Sequence, residues 1–508
     1  MVPLFLLLLC AACEASLVTR GQWIYDSRTN ARLRLRCINW YGAHQELYVV
    51  GGLEVQSVGA LADLFASSGA NCARIPYSVE MVRNNPLVQK DAVAGIGPTE
   101  CNSTERALDV MDCVAEHLRR RNILLIFNCH TSWAGWVGTR TEQQGLWNMP
   151  GYPTDDWLWS LEVVARRYSM AGMDLRNEIH DQDGVKITWG ESVDPNTDWL
   201  AASTLACRRI HAVDPEVLII VGGLCWNLDL RPMMARVGPV EAYLKGKLVY
   251  TSHIYHWSFW WKLEPQTFED VRAACGLCAI MAFALSIICT VNYMNRYNEC
   301  TKLCNPYKRF DGTEQPACNF TTISMLCSSS VIFHVCWLIM AVTFIQVSDY
   351  GGCSSLSKDA AWLVQASASM VGLTVLLLCC QMSRYSDTAF ASMLFFWLGC
   401  FGLSMLCVLL YLESEKAIID FLGIWGLDGR PVPVWVGEFG IDHRDAPTNR
   451  VWQLIWGYIS VRYDLDFAYW AFNGRNWRNG KWTDETFGLA NYNYTGFRDQ
   501  KFVHEIFK

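Results

Sequence analysis

The chain has 508 residues, of which 52% are hydrophobic, so on length alone it could hold two or three domains. Its formal net charge of −7 argues against a nucleic-acid partner, because such partners are bound by basic surfaces. Apolar residues are concentrated at the N-terminus and in one interior block, which leaves one globular domain in two pieces.

The N-terminal segment has the character of a secretion signal. Residues 1–12 are apolar and uncharged, and Cys13 and Ala15 place small residues where signal peptidase requires them. We therefore expect residues 1–15 to be a signal peptide and the globular part to be extracellular or luminal. The usual basic residues before the apolar run are missing, so a retained anchor is the alternative.

Short apolar runs alternate with helix-length patterns through the globular part, which is typical of a parallel α/β fold. The predicted strands are 33–39, 71–75, 123–128, 172–177, 217–221, 247–252, 434–437 and 466–470. Helices are predicted at 103–121, behind a Ser103 cap, and at 198–213. Because there are eight strands, we expect a closed (β/α)8 TIM barrel rather than an open sheet.

The cysteines of the globular part show no metal-ligand spacing, and we expect neither a metal nor an organic cofactor. They are Cys37, Cys72, Cys101, Cys113, Cys129, Cys207 and Cys225. An oxidising compartment permits a disulfide such as Cys101 to Cys113, and the odd number leaves at least one free thiol.

The chemistry of such a barrel lies at the carboxyl ends of its strands. Glu178 closes the fourth predicted strand and Glu438 closes the seventh. A glycosidase needs two such carboxylates, because one protonates the departing sugar oxygen and the other attacks or stabilises the anomeric carbon. The other candidate residues at these ends are Arg74, His130, Asn177, Trp226, His253, Tyr255 and Trp470. Trp226 and Trp470 are the best sugar platforms, since the apolar face of a pyranose packs on an indole.

Two local motifs resemble the retaining glycoside hydrolases of family five, the cellulase family A. Residues 176–178, Arg-Asn-Glu, resemble the acid/base motif of that family, and residues 436–440, Val-Gly-Glu-Phe-Gly, resemble its nucleophile motif. The resemblance implies that Glu178 is the acid/base and Glu438 the nucleophile. It further implies that Asn177 binds the sugar 2-hydroxyl and that Arg74 orients the nucleophile. Four more residues would line the −1 subsite, namely His130, His253, Tyr255 and Trp470.

The interior block contains four apolar runs without Lys, Arg, Asp or Glu, at 274–294, 324–347, 360–381 and 388–412. Each reaches the ~20 residues that a membrane-crossing helix needs. We therefore expect a transmembrane helical insertion at 270–413, between barrel parts at 16–269 and 414–508. Four crossings return the chain to the side it left, so both parts can close one barrel. The protein would then be a multi-pass membrane protein in contact with the lipid bilayer, although a gene-model fusion is an alternative.

The sequence thus predicts a membrane-anchored, retaining β-glycoside hydrolase that acts by double displacement. The resemblance implies a β-1,4-glucan, as for an endoglucanase, so the expected partner is a β-linked oligo- or polysaccharide. A glycosidase for a glycolipid such as glucosylceramide is one alternative, and a non-catalytic membrane carbohydrate-binding receptor is another. The intact pair of glutamates argues against the receptor.

Overall fold

The computed structural model describes residues 16–137, 144–255, 430–446 and 449–507. These residues belong to one of the two units into which the chain divides, Met1–Ser258 together with Phe421–Lys508. The predicted signal peptide at 1–15 and the four predicted membrane spans lie outside the described residues.

Eight parallel strands close into a barrel in chain order, and the last strand pairs with the first. They are β3 (Arg36–Asn39), β4 (Cys72–Ser78), β5 (Leu124–Thr131), β6 (Gly172–Asp174), β7 (Leu218–Gly222), β8 (Leu248–Ile254), β9 (Val434–Phe439) and β10 (Asp466–Tyr469). The predicted closed barrel is confirmed. Each strand is buried along nearly its whole length, because helices cover one face and the barrel interior the other.

Two antiparallel hairpins flank the barrel, β1 (Leu17–Arg20) with β2 (Trp23–Asp26), and β11 (Arg475–Arg478) with β12 (Lys481–Asp484). The first hairpin closes the amino end of the barrel, where its Leu17 and Ile24 pack with Leu35, Cys72 and Leu218. Each such aliphatic side chain removed from water contributes about 1.5–3 kcal/mol. The floor of the barrel is therefore a packed apolar core, which leaves the carboxyl end for polar chemistry.

The helices are mostly short and amphipathic. They are α1 (Val58–Ser67), α2 (Val79–Asn84), α3 (Ala107–Arg119), α4 (Thr154–Arg167), α5 (Trp199–His211), α6 (Leu224–Asn227), α7 (Arg231–Ala235), α8 (Val240–Leu244), α9 (Arg450–Gly457) and α10 (Gln500–Phe507). A 3-10 turn at Lys90–Val93 and a π-helix at Tyr458–Arg462 complete the helical elements of the described residues.

The two predicted helices differ in how well their starts were located. Asp198 caps α5 as a side-chain acceptor for the amide of Ala201, which agrees with the predicted start at 198. The predicted Ser103 cap is wrong, because α3 begins at Ala107 and its cap position is held by Arg106 without a side-chain bond. The Ser103 hydroxyl instead donates to the carboxylate of Asp109 at 2.8 Å.

Two disulfides join described residues, Cys37 to Cys72 across neighbouring barrel strands and Cys101 to Cys113. The sequence permitted the second pair and did not indicate the first. Cys129 and Cys207 are buried free thiols in the part of the chain that the structure describes.

The predicted multi-pass membrane location, with the lipid bilayer as a partner, is corrected by the structure. No helix among the described residues is long and apolar enough to cross a membrane. The longest of them, α4, has 14 residues, and at 1.5 Å per residue it would reach about 21 Å, short of the ~30 Å hydrocarbon core. Its charged Asp155, Asp156, Arg166 and Arg167 also make it amphipathic rather than apolar throughout.

Candidate active site

The predicted site residues gather at the carboxyl end of the barrel. Arg74 lies in β4, His130 in β5, His253 in β8 and Glu438 in β9. Asn177 and Glu178 follow β6, Tyr255 follows β8, and Trp470 follows β10. β8 and β9 are neighbours, and a register shift after Ser252 sets His253 opposite Glu438.

The two glutamates face each other across a histidine. One carboxylate oxygen of Glu178, one of Glu438 and a ring nitrogen of His253 all lie within 4.8 Å of one another. His253 Nδ1 is 2.8 Å from Glu178 Oε1 and 3.7 Å from Glu438 Oε2. A carboxyl separation of this order is that of a retaining glycosidase, ~5–5.5 Å, and is too short for the ~6.5–9.5 Å of inverting enzymes.

Arg74 holds Glu438 in place from the barrel interior. Its Nη1 donates to Glu438 Oε1 at 2.6 Å and to Asn39 Oδ1 at 2.8 Å. Nε donates to Asp174 Oδ2 at 2.9 Å, and Nη2 donates to Asn177 Oδ1 at 2.9 Å. A fully buried arginine is stable there because two carboxylates neutralise it and amide oxygens occupy its remaining donors.

The two carboxyl groups have different hydrogen-bond partners. Glu438 accepts from the Arg74 guanidinium and, at 3.1 Å, from the Tyr255 hydroxyl, and both bonds favour its ionised form. Burial raises the pKa of Glu438, and the charge of Arg74 opposes that rise. Burial raises the pKa of Glu178 to about 7, and Arg74 offsets it only in part. The arrangement therefore leaves a protonated Glu178 beside the better stabilised carboxylate of Glu438 near neutral pH.

The backbone at Glu178 is left-handed, with φ of 43°. Such a conformation costs a non-glycine residue roughly 1–3 kcal/mol and persists where the surroundings impose it. Hydrogen bonds on both sides impose it here, from the Asn177 amide to the Cys129 carbonyl at 3.0 Å and from the His180 amide to the Gly145 carbonyl at 3.0 Å. The strained turn aims the carboxyl of Glu178 across the barrel mouth.

Asn177 presents a free donor to the site. Its Oδ1 accepts from Arg74, whereas its Nδ2 is buried without a hydrogen-bond partner in the described part of the chain. A buried amide nitrogen left unpaired is destabilising by about 1–3 kcal/mol until a ligand satisfies it. A sugar hydroxyl beside Glu178 and Glu438 would supply that acceptor.

An aromatic wall borders the glutamate pair. Trp470 stacks on Tyr41 with ring centroids 4.7 Å apart and an interplanar angle of 8°. His130 stacks on the same indole at 5.9 Å, and Trp136 meets it edge-on at 6.3 Å. The Trp470 side chain is thereby fixed as a rigid apolar surface, which suits the C–H face of a sugar ring.

Trp226 reaches the site less directly than the sequence implied. It lies in α6, has φ of 62°, and stacks on His180 at 3.5 Å. His180 Nδ1 in turn contacts the backbone oxygen of Glu178 at 2.8 Å. Trp226 is therefore connected to Glu178 through His180, whereas Trp470 lies in the aromatic wall.

Sequence reasoning missed five residues that contact the predicted set, namely Asn39, Tyr41, His44, Asp174 and Asn227. Asn39 closes β3 and Asp174 closes β6, so the rule that picked Arg74 would also have found these two. Tyr41 and His44 lie in the loop after β3, where sequence periodicity carries no signal. His44 is buried, its ring lies 4.3 Å from that of His130, and both of its nitrogens lack a partner within the described ranges.

Glu178, His253 and Glu438 also form a cluster of metal-ligand type. The charge of Arg74 acts against that use, because its guanidinium already occupies one oxygen of Glu438 and would repel a cation. The donor set therefore suits proton and sugar chemistry better than metal binding.

Part of the chain matches a known protein family. Residues 38–275 match the family model for cellulase, glycosyl hydrolase family 5. The matched segment covers just under half of the chain. The match begins within β3 and runs past β8, so Glu178 and His253 fall inside it, while Glu438 and Trp470 lie beyond its end.

Individual relatives agree with the family match. A glycosyl hydrolase 5 family protein from Chamaecyparis obtusa is 30% identical over 280 residues, which cover 51% of this chain and 47% of the relative. An endoglucanase from Paenibacillus polymyxa is 26% identical over 256 residues, covering 47% of this chain and 59% of the relative. The chain thus spans about half the length of the curated relatives it matches.

A solved structure shows the same fold. The catalytic domain of the major endoglucanase from Xanthomonas campestris pv. campestris aligns with a TM-score of 0.56 at 15% identity, covering 97% of this chain and 99% of that chain. At this identity the likeness concerns the barrel and not the substrate.

Proposed function

We propose that the protein is a retaining β-glycoside hydrolase of the endo-β-1,4-glucanase kind. The observation that carries this proposal is the pair of carboxylates within 4.8 Å of each other, one hydrogen-bonded by Arg74 and the other with a pKa raised to about 7. The short separation supports direct attack by a carboxylate, because it is closer to the ~5–5.5 Å of retaining enzymes than to the ~6.5–9.5 Å that inverting enzymes need for a water beside the sugar.

In the first step, a carboxylate oxygen of Glu438 attacks the anomeric carbon and forms a covalent glycosyl-enzyme. The bond to the leaving oxygen breaks, and Glu178 gives that oxygen its proton. As Glu438 becomes an ester, its charge disappears, and the donors of Arg74 and Tyr255 no longer face an anion. These donors therefore orient the nucleophile before attack and stabilise it again when it departs.

In the second step, water attacks the same carbon from the face that the leaving group vacated. Glu178, now ionised, takes a proton from that water, and the bond to Glu438 breaks. Asn177 supports both transition states if its unpaired Nδ2 donates to the 2-hydroxyl, a contact that strengthens as positive charge develops on the sugar. Because each displacement inverts the anomeric carbon, two displacements give a product with the same anomeric configuration as the substrate.

The substrate class rests on the relatives. Those with named activity are endoglucanases, and an endocellulase of the same fold, from Pyrococcus horikoshii, is described in complex with cellotetraose with a TM-score of 0.51. The rigid surface of Trp470 beside the glutamates suits a β-linked glucose unit, whose hydroxyls are all equatorial and leave flat apolar faces.

The test is hydrolysis of a substrate panel with stereochemical readout. Cellotetraose, mannotetraose and glucosylceramide in detergent are incubated with the full-length protein, and the anomeric configuration of fresh product is followed by proton NMR. We expect turnover of cellotetraose with β-configured product. An α-configured product, or turnover of glucosylceramide alone, would contradict the proposal.

Two substitutions assign the roles. Glu438→Gln should abolish turnover, whereas Glu178→Gln should still release an activated dinitrophenol leaving group that needs no protonation. Glu100→Gln is the matched control, because Glu100 is a partly buried carboxylate that accepts from the amides of Gly59 and Gly97, outside the glutamate network. Equal losses on activated and unactivated substrates in Glu178→Gln would count against its acid role.

A further inference from the structure

Asn227 extends the glutamate network by one residue. It follows β7 and is fully buried, and its Nδ2 is 3.3 Å from His253 Nε2. The opposite ring nitrogen of His253 is 2.8 Å from Glu178 Oε1. An amide, an imidazole and a carboxyl group therefore form one continuous chain of hydrogen bonds.

The local backbone is built to keep the amide there. Asn227 has φ of 59°, a left-handed conformation that asparagine adopts more readily than most residues. Gly222 leaves the necessary space, since a Cβ atom at that position would lie 2.3 Å from Asn227 Oδ1. Oδ1 itself is buried without a hydrogen-bond partner among the described residues. The side chain is thus held at some expense in stability, and its contact is with His253.

The chemistry of the amide decides where the imidazole proton lies. An amide nitrogen only donates, so Nε2 of His253 must accept and carry a lone pair. Burial lowers the pKa of His253 to about 3, so the ring is neutral at ordinary pH and has one proton. That proton is consequently on Nδ1, from which it is donated to Glu178.

We propose that Asn227 is a positioning residue that fixes the tautomer of His253 and thereby controls how firmly Glu178 holds its proton. An Nδ1–H donor favours the carboxylate form of Glu178 and makes the group a readier acid. Without Asn227, the ring can carry its proton on Nε2, and the bare Nδ1 then accepts from the protonated carboxyl group and retains that proton. The inference rests on the proposed function, in which Glu178 is the acid/base.

Several other charged or titratable groups face this chain. They are Arg74 in β4, His130 in β5, His180 after β6, Tyr255 after β8 and Glu438 in β9. None of them contacts the Asn227 side chain through a hydrogen bond in the described residues, so substitution there leaves their charges in place. A change in the titration of Glu178 can then be attributed to the imidazole.

The kinetic test is the pH dependence of kcat/KM on cellotetraose for Asn227→Ala. The alkaline limb reports the group that must be protonated in the free enzyme, here Glu178. Because a hydrogen bond to the protonated form raises a carboxyl pKa, we expect this limb to move to higher pH by about one unit. Asn122→Ala is the matched control, since Asn122 has φ of 58° but is exposed, and its substitution should leave the limb unchanged.

A second measurement needs no substrate and no loss of side-chain volume. In protein labelled with 15N-histidine, the His253 resonances, identified with His253→Gln, distinguish the two tautomers. We expect Nδ1–H in the wild type and protonated Nε2 in Asn227→Asp, because a carboxylate accepts where the amide donated. Nε2–H in the wild type, or an unmoved alkaline limb in a folded Asn227→Ala, overturns the proposal. If no sugar is hydrolysed, the proposed function fails, and the tautomer measurement still decides the role of Asn227.

Discussion

Arg74→Lys tests the link between the buried ion network and the nucleophile. Arg74 makes five close contacts, two to Asp174 and one each to Asn39, Asn177 and Glu438. A lysine ammonium has three donors, so at least two of the five contacts disappear although the charge is kept. Lysine also lacks the fixed fork that spans two carboxylates at once.

The size of the effect follows from those contacts. A hydrogen bond to a charged group contributes about 1.5–3 kcal/mol, so the loss of the bond to Glu438 alone should lower kcat/KM about 10- to 150-fold. The pKa of Glu438 should also rise, because a poorly placed cation opposes the effect of burial less well. The acid limb of the kcat/KM profile, which reports the ionised nucleophile, should therefore move to higher pH.

The assay is kcat/KM on cellotetraose between pH 4 and 9, together with thermal unfolding. Arg176→Lys is the matched control, because Arg176 is equally buried but its Nη2 donates to the carbonyls of Gln144 and Leu146. We expect both variants to lose stability and only Arg74→Lys to shift its acid limb. An acid limb that is identical in the wild type and in Arg74→Lys would show that Arg74 does not set the pKa of Glu438.

Three further predictions concern stability, binding and chain connection. Folding raises the pKa of Glu178 from 4.5 to about 7, so the wild type loses stability as pH rises through that range and the folded state gives up a proton that the unfolded state has already lost. Glu178→Gln has no such proton, so its unfolding free energy should rise relative to that of the wild type by up to roughly 3 kcal/mol between pH 4.5 and 7. A difference in unfolding free energy that stays constant over this range would contradict the prediction. Trp470→Ala should raise KM for cellotetraose about tenfold or more, as loss of a buried aromatic contact implies, and an unchanged KM would exclude a platform role. Replacement of 270–413 by a short flexible linker should leave an active barrel, because β8 and β9 pair directly and parallel neighbours need only a dozen or more connecting residues. A shortened protein that is folded by circular dichroism but does not hydrolyse cellotetraose would contradict this prediction.

Much of the barrel could be predicted because its strands are buried on both faces and so appear as apolar runs. The predicted strand ends were less accurate where polar residues continue a strand beyond its apolar run. β5 extends to Thr131 and β8 to Ile254, so His130 and His253 lie within strands that were predicted to stop before them. Both histidines were nevertheless found, since a strand end shifted by two or three residues still lies at the same edge of the barrel.

Contacts that depend on loop conformation could not be predicted. Tyr41 stacks on Trp470 from a loop that has no periodic pattern, and Asn227 reaches His253 only because of a left-handed turn and the absence of a side chain at Gly222. The Ser103 cap failed for a related reason, since a side-chain bond to Asp109 competed with the backbone. Such local alternatives differ by about 1 kcal/mol, which sequence patterns do not resolve.

The direct pairing of β8 with β9 also bears on synthesis. About 180 residues of chain separate Ile254 from Val434, yet these strands are adjacent in the finished barrel. At ~5–20 residues per second, a ribosome needs roughly 10–40 s to cover that interval. During this time six strands have emerged, and the free edges of β3 and β8 each present unpaired backbone groups to other chains. Overproduction should therefore favour aggregation of the nascent protein, and slower translation would not relieve it.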